Sequence, residues 1–416
     1  MTAGARTDAG GRSLFVTTRG IGMTASAAAV TVLGVGIASR PLVLVGAAMI
    51  GAVLVAVAWI LVSVWGARRA LSAVERTVSP PTLAVGGRGA VEVRVGAHRA
   101  LARTLALREQ AASELTGDTP VRATVARSRD EIRLRYPLAP VQRGRWALGP
   151  AIARTLDPFG LVEVELEIGG AHRIAVWPAV DDLAASAGDL MAVSDRAHAG
   201  ARTPATDDAA LRDYRDGDDL RRIHWRSSAR RGELLVRSEE QQGRTEATVL
   251  VGLPPDPTAL EWAIRAAASV SLSVLDAGHP VRLIAGGATA SAHGTVARAA
   301  ETARAAILDA MVDLHGAPSA AAAERDVATG AELIEAGPGA VTVAIVEPLG
   351  ATALAALEPH GDLGRAWALV RGYDRDRLRA QRTADALRAA GWRAVVTTAP
   401  ESVPDAWSRL LAEAQP

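Results

Sequence analysis

The sequence predicts a chain in three parts: an N-terminal two-helix transmembrane hairpin, an antiparallel β-sandwich, and a C-terminal α/β domain of Rossmann-like topology. Three observations predict it. Two uncharged runs, Gly20–Ser39 and Leu42–Gly66, stand near the N-terminus with only Arg40-Pro41 between them. From 77 to 180, short runs alternate apolar and charged residues with the period of a half-buried strand. Beyond 243, short apolar runs alternate with longer helical stretches, the pattern of a parallel sheet covered on both faces.

The composition permits this plan and excludes much else. A chain of 416 residues, 49% of them hydrophobic, has material for several cores and a membrane segment. With 46 basic against 45 acidic residues the net charge is +1, so no global field draws the chain to nucleic acid. All the basic residues are arginine. Without lysine there is no Walker A loop, Schiff base or kinase-type lysine. Without cysteine there is no disulfide, thiol nucleophile or thiolate metal site.

Taken in order, residues 1–19 read as a polar arm without regular structure. The hairpin, 20–66, follows because each run can cross a hydrocarbon core about 30 Å thick at about 1.5 Å per residue. A cleaved signal peptide is the rival for the first run, and the closeness of the second run argues against it. Arg6, Arg12 and Arg19 precede the hairpin, Arg68 and Arg69 follow it, and Arg40 alone lies in the loop. That bias predicts a cell-membrane protein with both soluble domains cytoplasmic. Trp59 and Trp65 are candidates for the interface. The second helix is expected to run on into solvent as far as Arg76.

In the β-sandwich, 77–180, Val91, Val93 and Val95 alternate with Glu92 and Arg94. Ile132, Leu134 and Tyr136 do so with Arg133 and Arg135, and Val162 to Ile168 do so with Glu163, Glu165 and Glu167. The glutamates read as a wet face. Asp157-Pro158 starts a turn that Gly160 completes, and Phe159 is expected to plug the core. Trp177-Pro178 closes the last strand, and 181–208, rich in Ala, Asp and Ser, reads as a linker.

The segment 209–242 is the densest in charge. Eight arginines are interleaved with seven acids over Leu211–Gln242, so it pairs with itself or with a partner. Asp216-Gly217 reads as a tight turn and Asp218 as the cap of a short helix from Leu220, with Ile223 and Trp225 as apolar anchors. A strand follows at Leu234–Arg237, so the segment reads as a hinge between domains, with Trp225 buried. In the α/β domain, 243–416, strands are expected near 248–251, 281–284, 341–345, 366–370 and 394–396. Helices are expected near 259–277, 302–314, 380–390 and 404–414.

The order of residues in the hinge resembles the signature of the family called domain of unknown function 58. The positions that carry the resemblance are Arg212, Tyr214, Gly217, Asp218, Arg221 or Arg222, Ile223, Trp225, Ser228, Ala229, Arg230, Gly232 and Leu234, and Arg222 and Arg226 are candidates for partner contact within the same segment. Two further fragments resemble the same family, Arg143-Gly144-Arg145-Trp146 and Leu156-Asp157-Pro158-Phe159-Gly160-Leu161. The resemblance implies a C-terminal von Willebrand factor A-like domain and an association with MoxR-type AAA+ ATPases. Such domains often hold a divalent metal through Asp-x-Ser-x-Ser after the first strand. Here Gly252-Leu253-Pro254-Pro255 stands in that place, so no metal and no other cofactor is expected.

No catalytic set emerges. Ser227 or Ser228 with His224 and Asp218 are the right types for a triad, but neighbours on one short helix lack triad geometry, and no Gly-x-Ser-x-Gly elbow is present. The histidines lack His-Glu-x-x-His spacing. The expectation is therefore a non-enzymatic membrane-anchored scaffold or adaptor. Its partner would be a protein such as a MoxR-type ATPase, and it would act in assembly or maturation of other proteins. The alternative is a phosphate or nucleic-acid binder using the arginine-rich hinge. Interleaved acids favour the first, and nucleic acid is not expected as a partner.

Overall fold

The structure is a computed structural model that describes residues 12–70, 74–96, 105–117, 123–128, 131–183, 211–213, 228–229, 233, 235–237, 246–292, 297–334, 340–361, 365–373 and 376–413. The chain divides into two compact units, Met1–Trp177 and Pro178–Pro416.

In the first unit, the two uncharged runs form helices α1 (Thr18–Gly36) and α2 (Arg40–Ala70). Both are long and apolar enough to cross a membrane, and most of their surface is exposed. Thr17 caps α1, its Oγ1 accepting from Gly20 N at 3.1 Å. The helices lie antiparallel and close because small residues face each other. A Cβ on Gly34 would stand 2.8 Å from Val43 N, and one on Gly46 would stand 2.1 Å from Thr31 Oγ1.

The arm before α1 is a correction to expectation. Residues Arg12–Val16 form strand β1, paired antiparallel with β9 (Val162–Ile168) from Arg12↔Leu166 to Val16↔Val162. The edge of β9 would otherwise leave a row of amides and carbonyls unpaired, and the arm satisfies it. A second correction concerns α2, which ends at Ala70, so Arg76 belongs to strand β2 (Val74–Ser79).

The remaining strands of this unit are β3 (Leu83–Ala84), β4 (Gly89–Gly96), β5 (Ala106–Ala111), β6 (Thr124–Arg127), β7 (Glu131–Leu138), β8 (Gly144–Leu156) and β10 (His172–Trp177), with one short helix, α3 (Ser113–Thr116), after β5. They build two sheets, β1-β9-β8-β10-β3 with β5 also on β8, and β2-β4-β7-β6. All pairs are antiparallel except β10 with β3. Register puts Val91, Val93 and Val95 opposite Tyr136, Leu134 and Ile132, and all six are buried. They share one core with Leu148, Ala151, Val162 and Val164 of the other sheet and with Ala56 and Ile60 of α2. On the opposite face Arg154 donates to Glu163 at 3.0 Å.

Phe159 is a third correction: it is 56% exposed. The carboxylate of buried Asp157 accepts from the amides of Phe159 (2.9 Å), Leu161 (2.8 Å) and Val162 (3.2 Å), and this tight turn sends Leu161 into the core in its place.

The second unit contains a two-stranded ribbon, β11 (Leu211–Asp213) against β12 (Leu235–Arg237), and a six-stranded sheet. The sheet strands are β13 (Ala247–Val251), β14 (Val281–Ala285), β15 (Ala288–Ala292), β16 (Val341–Val346), β17 (Ala366–Gly372) and β18 (Arg393–Thr398), in the order β15-β14-β13-β16-β17-β18. All neighbours are parallel except the edge hairpin β14–β15. Strands β13, β16 and β17 are buried at every residue, which explains why they are apolar except at Thr248, Thr342 and Arg371. The helices are α4 (Pro257–Asp276), α5 (Ala297–Val312), α6 (Ala320–Glu332), α7 (Ala351–Leu357), α8 (Arg377–Ala389) and α9 (Val403–Ala412). Sequence patterning did not single out β15, α6 or α7. Alanine-rich α6 and α7 carry few large apolar residues to mark a face, and β15 is mostly exposed at the sheet edge.

Candidate functional site

The strand order of the second unit locates a site before any side chain is considered. From β13 the chain steps outward to β14 and later returns to the other side of β13 as β16. At such a switch point the loops leaving adjacent strands diverge and open a crevice beyond the carboxyl ends. A cavity of about 150 Å³ lies there, bounded by the loops after β13, β16 and β17 and by one face of α6.

Each wall has a local cause. Gly252 N donates to Ile345 O at 2.8 Å, and a Cβ at Gly252 would come within 3.3 Å of Val327 Cγ2, so the β13 loop hugs α6. Asp256 caps α4, with Pro257 at the first helical position, and its Oδ2 accepts from Ala259 N at 2.8 Å. The same oxygen accepts from Tyr373 Oη at 3.1 Å, joining the β13 loop to the β17 loop. Burial and then the Asp256 carboxylate raise the Tyr373 hydroxyl above its ordinary value, which keeps it a donor. Glu324 of α6 extends across Gly350, where a Cβ would lie 2.8 Å from Oε2, and it faces Arg379 at 3.8 Å.

Leu253, Val327 and Leu349 give the crevice an apolar lining, and Asp256, Glu324, Glu347, Asp376 and Arg379 give it charge. Among the described residues of the lining, four carboxylates stand against one guanidinium, an acidic balance. Behind the β17 loop, buried Arg371 stacks on the Trp262 ring with its Cζ 4.3 Å from the centroid, a rigid support for Tyr373.

The metal implied by the family resemblance does not fit these residues. Gly252, Leu253, Pro254 and Pro255 offer no side-chain oxygen, and Asp256 Oδ2 already accepts two hydrogen bonds. Among the described residues no three His, Asp or Glu side chains gather as a metal-holding group.

Of the signature positions, Arg212 lies in β11 and Ser228 is buried, 7% exposed, in a short helical stretch. Tyr214, Gly217, Asp218, Arg222, Ile223, Trp225, Arg226, Arg230 and Gly232 lie outside the described residues, and so do the expected cap at Asp218 and the burial of Trp225. The ribbon β11–β12 brackets them, and β11 was missed because Leu211–Asp213 has only three residues and no alternation to read. Sequence reasoning also passed over Glu324, Glu347, Tyr373 and Asp376. A signal for two of them was present, because Glu347 and Tyr373 directly follow strands β16 and β17.

Of the other fragments that carried the family resemblance, Arg143–Trp146 is structural: Trp146 Nε1 donates to Gln142 O at 2.9 Å and its ring packs against the β core. No curated protein and no solved structure matches the chain. The segment that holds the ribbon, β13 and its loop, and helices α4 to α6 does match a known family: residues 210–343 fit the family model described as Protein of unknown function DUF58.

Proposed function

We propose that this protein is a membrane-anchored, non-enzymatic adaptor whose second unit, a von Willebrand factor A-like module, binds a protein partner at the crevice. The observation that carries this is the crevice's charge. An apolar lining ringed by Asp256, Glu324, Glu347 and Asp376 suits an arginine or lysine side chain presented by a protein, and it repels phosphate. That weighs against the alternative, a phosphate or nucleic-acid binder. The strand order with its antiparallel edge strand supports the von Willebrand factor A-like assignment. The partner class is a MoxR-type AAA+ ATPase, to which the family resemblance points, and the work is assembly or maturation of other proteins. The interleaved charges of the signature segment, Arg222 and Arg226 among them, supply specificity for the same partner.

The anchor is the α1–α2 hairpin. Pairing of β1 with β9 supports one side of the membrane for both ends of the hairpin, because the strand before α1 and the strands after α2 share a sheet. The arginine bias makes that side the cytoplasm.

The test is co-purification of the full chain with a MoxR-type ATPase from crosslinked native membranes. Charge reversal at Glu347 and Asp376, or at Arg222 and Arg226, is expected to weaken recovery of the ATPase while membrane insertion is unchanged. Generic duplex DNA bound at physiological salt, with affinity falling linearly against log salt and the ATPase ignored, would overturn the adaptor reading.

A further inference from the structure

The geometry points to a second membrane contact: the turn Asp157–Leu161 of the β unit inserts Phe159 into the headgroup–acyl boundary of the bilayer beside the start of α1. This rests on the reading of α1 and α2 as membrane spans.

The turn is fixed to the helix at the point where a span would begin. Thr17 N donates to Leu161 O at 2.9 Å, and Thr17 Oγ1 donates to Gly160 O at 2.7 Å. Contact continues into the first helical turn, where a Cβ on Gly20 would lie 2.3 Å from Leu161 O. Arg19, the last charged residue before the apolar run, is exposed, with its guanidinium near Gly160. An arginine there can reach lipid phosphate.

Phe159 is held outward rather than left loose. Asp157 binds three amides of the turn, and Gly160 takes φ +69°, a conformation that other residues adopt only at a cost. Exposed apolar surface gathers at this end. Among the described residues of the unit outside the hairpin 18–70, the large exposed hydrophobics are Leu14, Val16, Val125, Val141, Leu156 and Phe159. Four of these six belong to β1 and the Leu156–Phe159 corner, the two segments that flank Thr17.

Trp59 marks the same level independently. The register that sets Gly34 beside Val43 and Gly46 beside Thr31 carries on to set Trp59 level with Thr18, and Trp59 is 57% exposed. Two exposed aromatics at the polar end of a pair of spans are the arrangement of an interfacial belt. The β unit also cannot stand off from the bilayer, because Ala56 and Ile60 of α2 belong to its core and Met23 of α1 and Val53 and Val57 of α2 pack against it. A surface seated that close reaches the boundary layer, about 5–10 Å deep, without further movement.

The absence of native cysteine makes the test direct. The full chain is reconstituted in vesicles of phosphatidylcholine and phosphatidylglycerol, with an environment-sensitive fluorophore on a single cysteine in one of three variants, Phe159→Cys, Val141→Cys or Val32→Cys. The label at 159 is expected to be blue-shifted, quenched by nitroxide lipids labelled near the headgroup, and to lose most of its quenching by aqueous iodide. The label at 141, an exposed site of the same unit, is expected to show the reverse. If 159 behaves like 141 while 32 is quenched by nitroxides deep in the acyl region, the insertion proposal fails and the spans stand. Shielding of 159 from both quenchers would mean a protein cover and would also overturn it. If 32 is not quenched from the lipid side, the spans and the insertion fall together.

Discussion

The two units bury charge in different ways, and the difference follows from how many faces of each sheet meet water. In the β unit Arg76 and Glu109 form an ion pair at 2.6 Å with side chains only 3% and 5% exposed, close enough for both charges to act on the Tyr136 hydroxyl. In the α/β unit the central strands carry one charge, Arg371 near the end of β17, and the charges of the crevice stand at strand ends and helix starts. An antiparallel strand with one wet face carries a polar residue at every second position, so a strand folded over at an edge, such as β2 or β5, can trap one. A parallel sheet covered by helices has no wet face, so a charge enters only near a strand end, as Arg371 does in β17. The trapped pair is also imperfectly satisfied. Arg76 donates to Gly169 O at 2.7 Å, while Arg76 Nη2 and Glu109 Oε2 have no hydrogen-bond partner. Burial outweighs the arginine in setting Glu109, whose carboxyl is held above its ordinary range.

Breaking that pair is the largest effect expected. Arg76→Ala leaves a buried carboxylate without its cation and should destabilise the β unit by about 3–5 kcal/mol, whereas Arg76→Met with Glu109→Leu should be close to neutral. Denaturation followed by hydrogen exchange, read separately for each unit, distinguishes the two outcomes. A large loss in the double variant would show that the pair holds the sheets together in a way apolar packing cannot replace. The pH dependence has a definite sign. With the folded value above the unfolded one, the folded state binds the Glu109 proton more readily. Its contribution is therefore full below the ordinary carboxylate range and is lost as pH rises through the folded value. The stability of Glu109→Gln should lack that decline.

The α/β unit should fail through volume instead. Leu250 of β13 is 1% exposed, and a Cβ on Gly330 of α6 would come within 2.6 Å of its Cδ1. Leu250→Ala should cost about 2–5 kcal/mol through the cavity it leaves. Gly330→Ala alone should cost about 1–3 kcal/mol through overpacking. Together they should cost less than their sum, because the new methyl enters the space that the leucine vacates. Additive losses in a double-mutant cycle would mean that α6 shifts to relieve the clash, and the interior would then be less rigid than its burial implies.

How much of this was legible in the sequence follows from the same contrast. The α/β strands were readable because full burial demands apolar runs, and β4, β7 and β9 because a single wet face demands alternation. What could not be read were features set by partners distant in sequence. Arg76 looked like the tail of a helix, and only pairing of β2 with β4 and contact with Glu109 of β5 explain it. The arm Arg12–Val16 is too short, and lacks the alternation, to signal a strand until the open edge of β9 is present. Phe159 obeyed the rule that a large aromatic seeks the core, and three amides donated to Asp157 overrode that rule. The crevice was half legible. The loop after β13 stood out through the family resemblance, but Glu324 on α6 and Asp376 at the start of α8 reach the same space from elements whose position depends on the whole sheet order.

The smallest effects should be those in which the units do not differ. Arg154 on the wet face of β8, 52% exposed, pairs with Glu163, and Arg388 on α8, 37% exposed, pairs with Asp385 at 2.9 Å. Solvent screens both pairs, and holding a long side chain in one geometry costs entropy that offsets most of the attraction. Arg154→Ala and Arg388→Ala should each cost less than about 1 kcal/mol, and the loss should shrink further as salt is raised. The contrast between the units predicts equality here, because water reaches both pairs and the architecture beneath them is then irrelevant. A cost at Arg154 several times that at Arg388, and unchanged by salt, would mean that the outer face of the β unit is covered. The proposed division into one wet face and one dry face would then be wrong for that sheet.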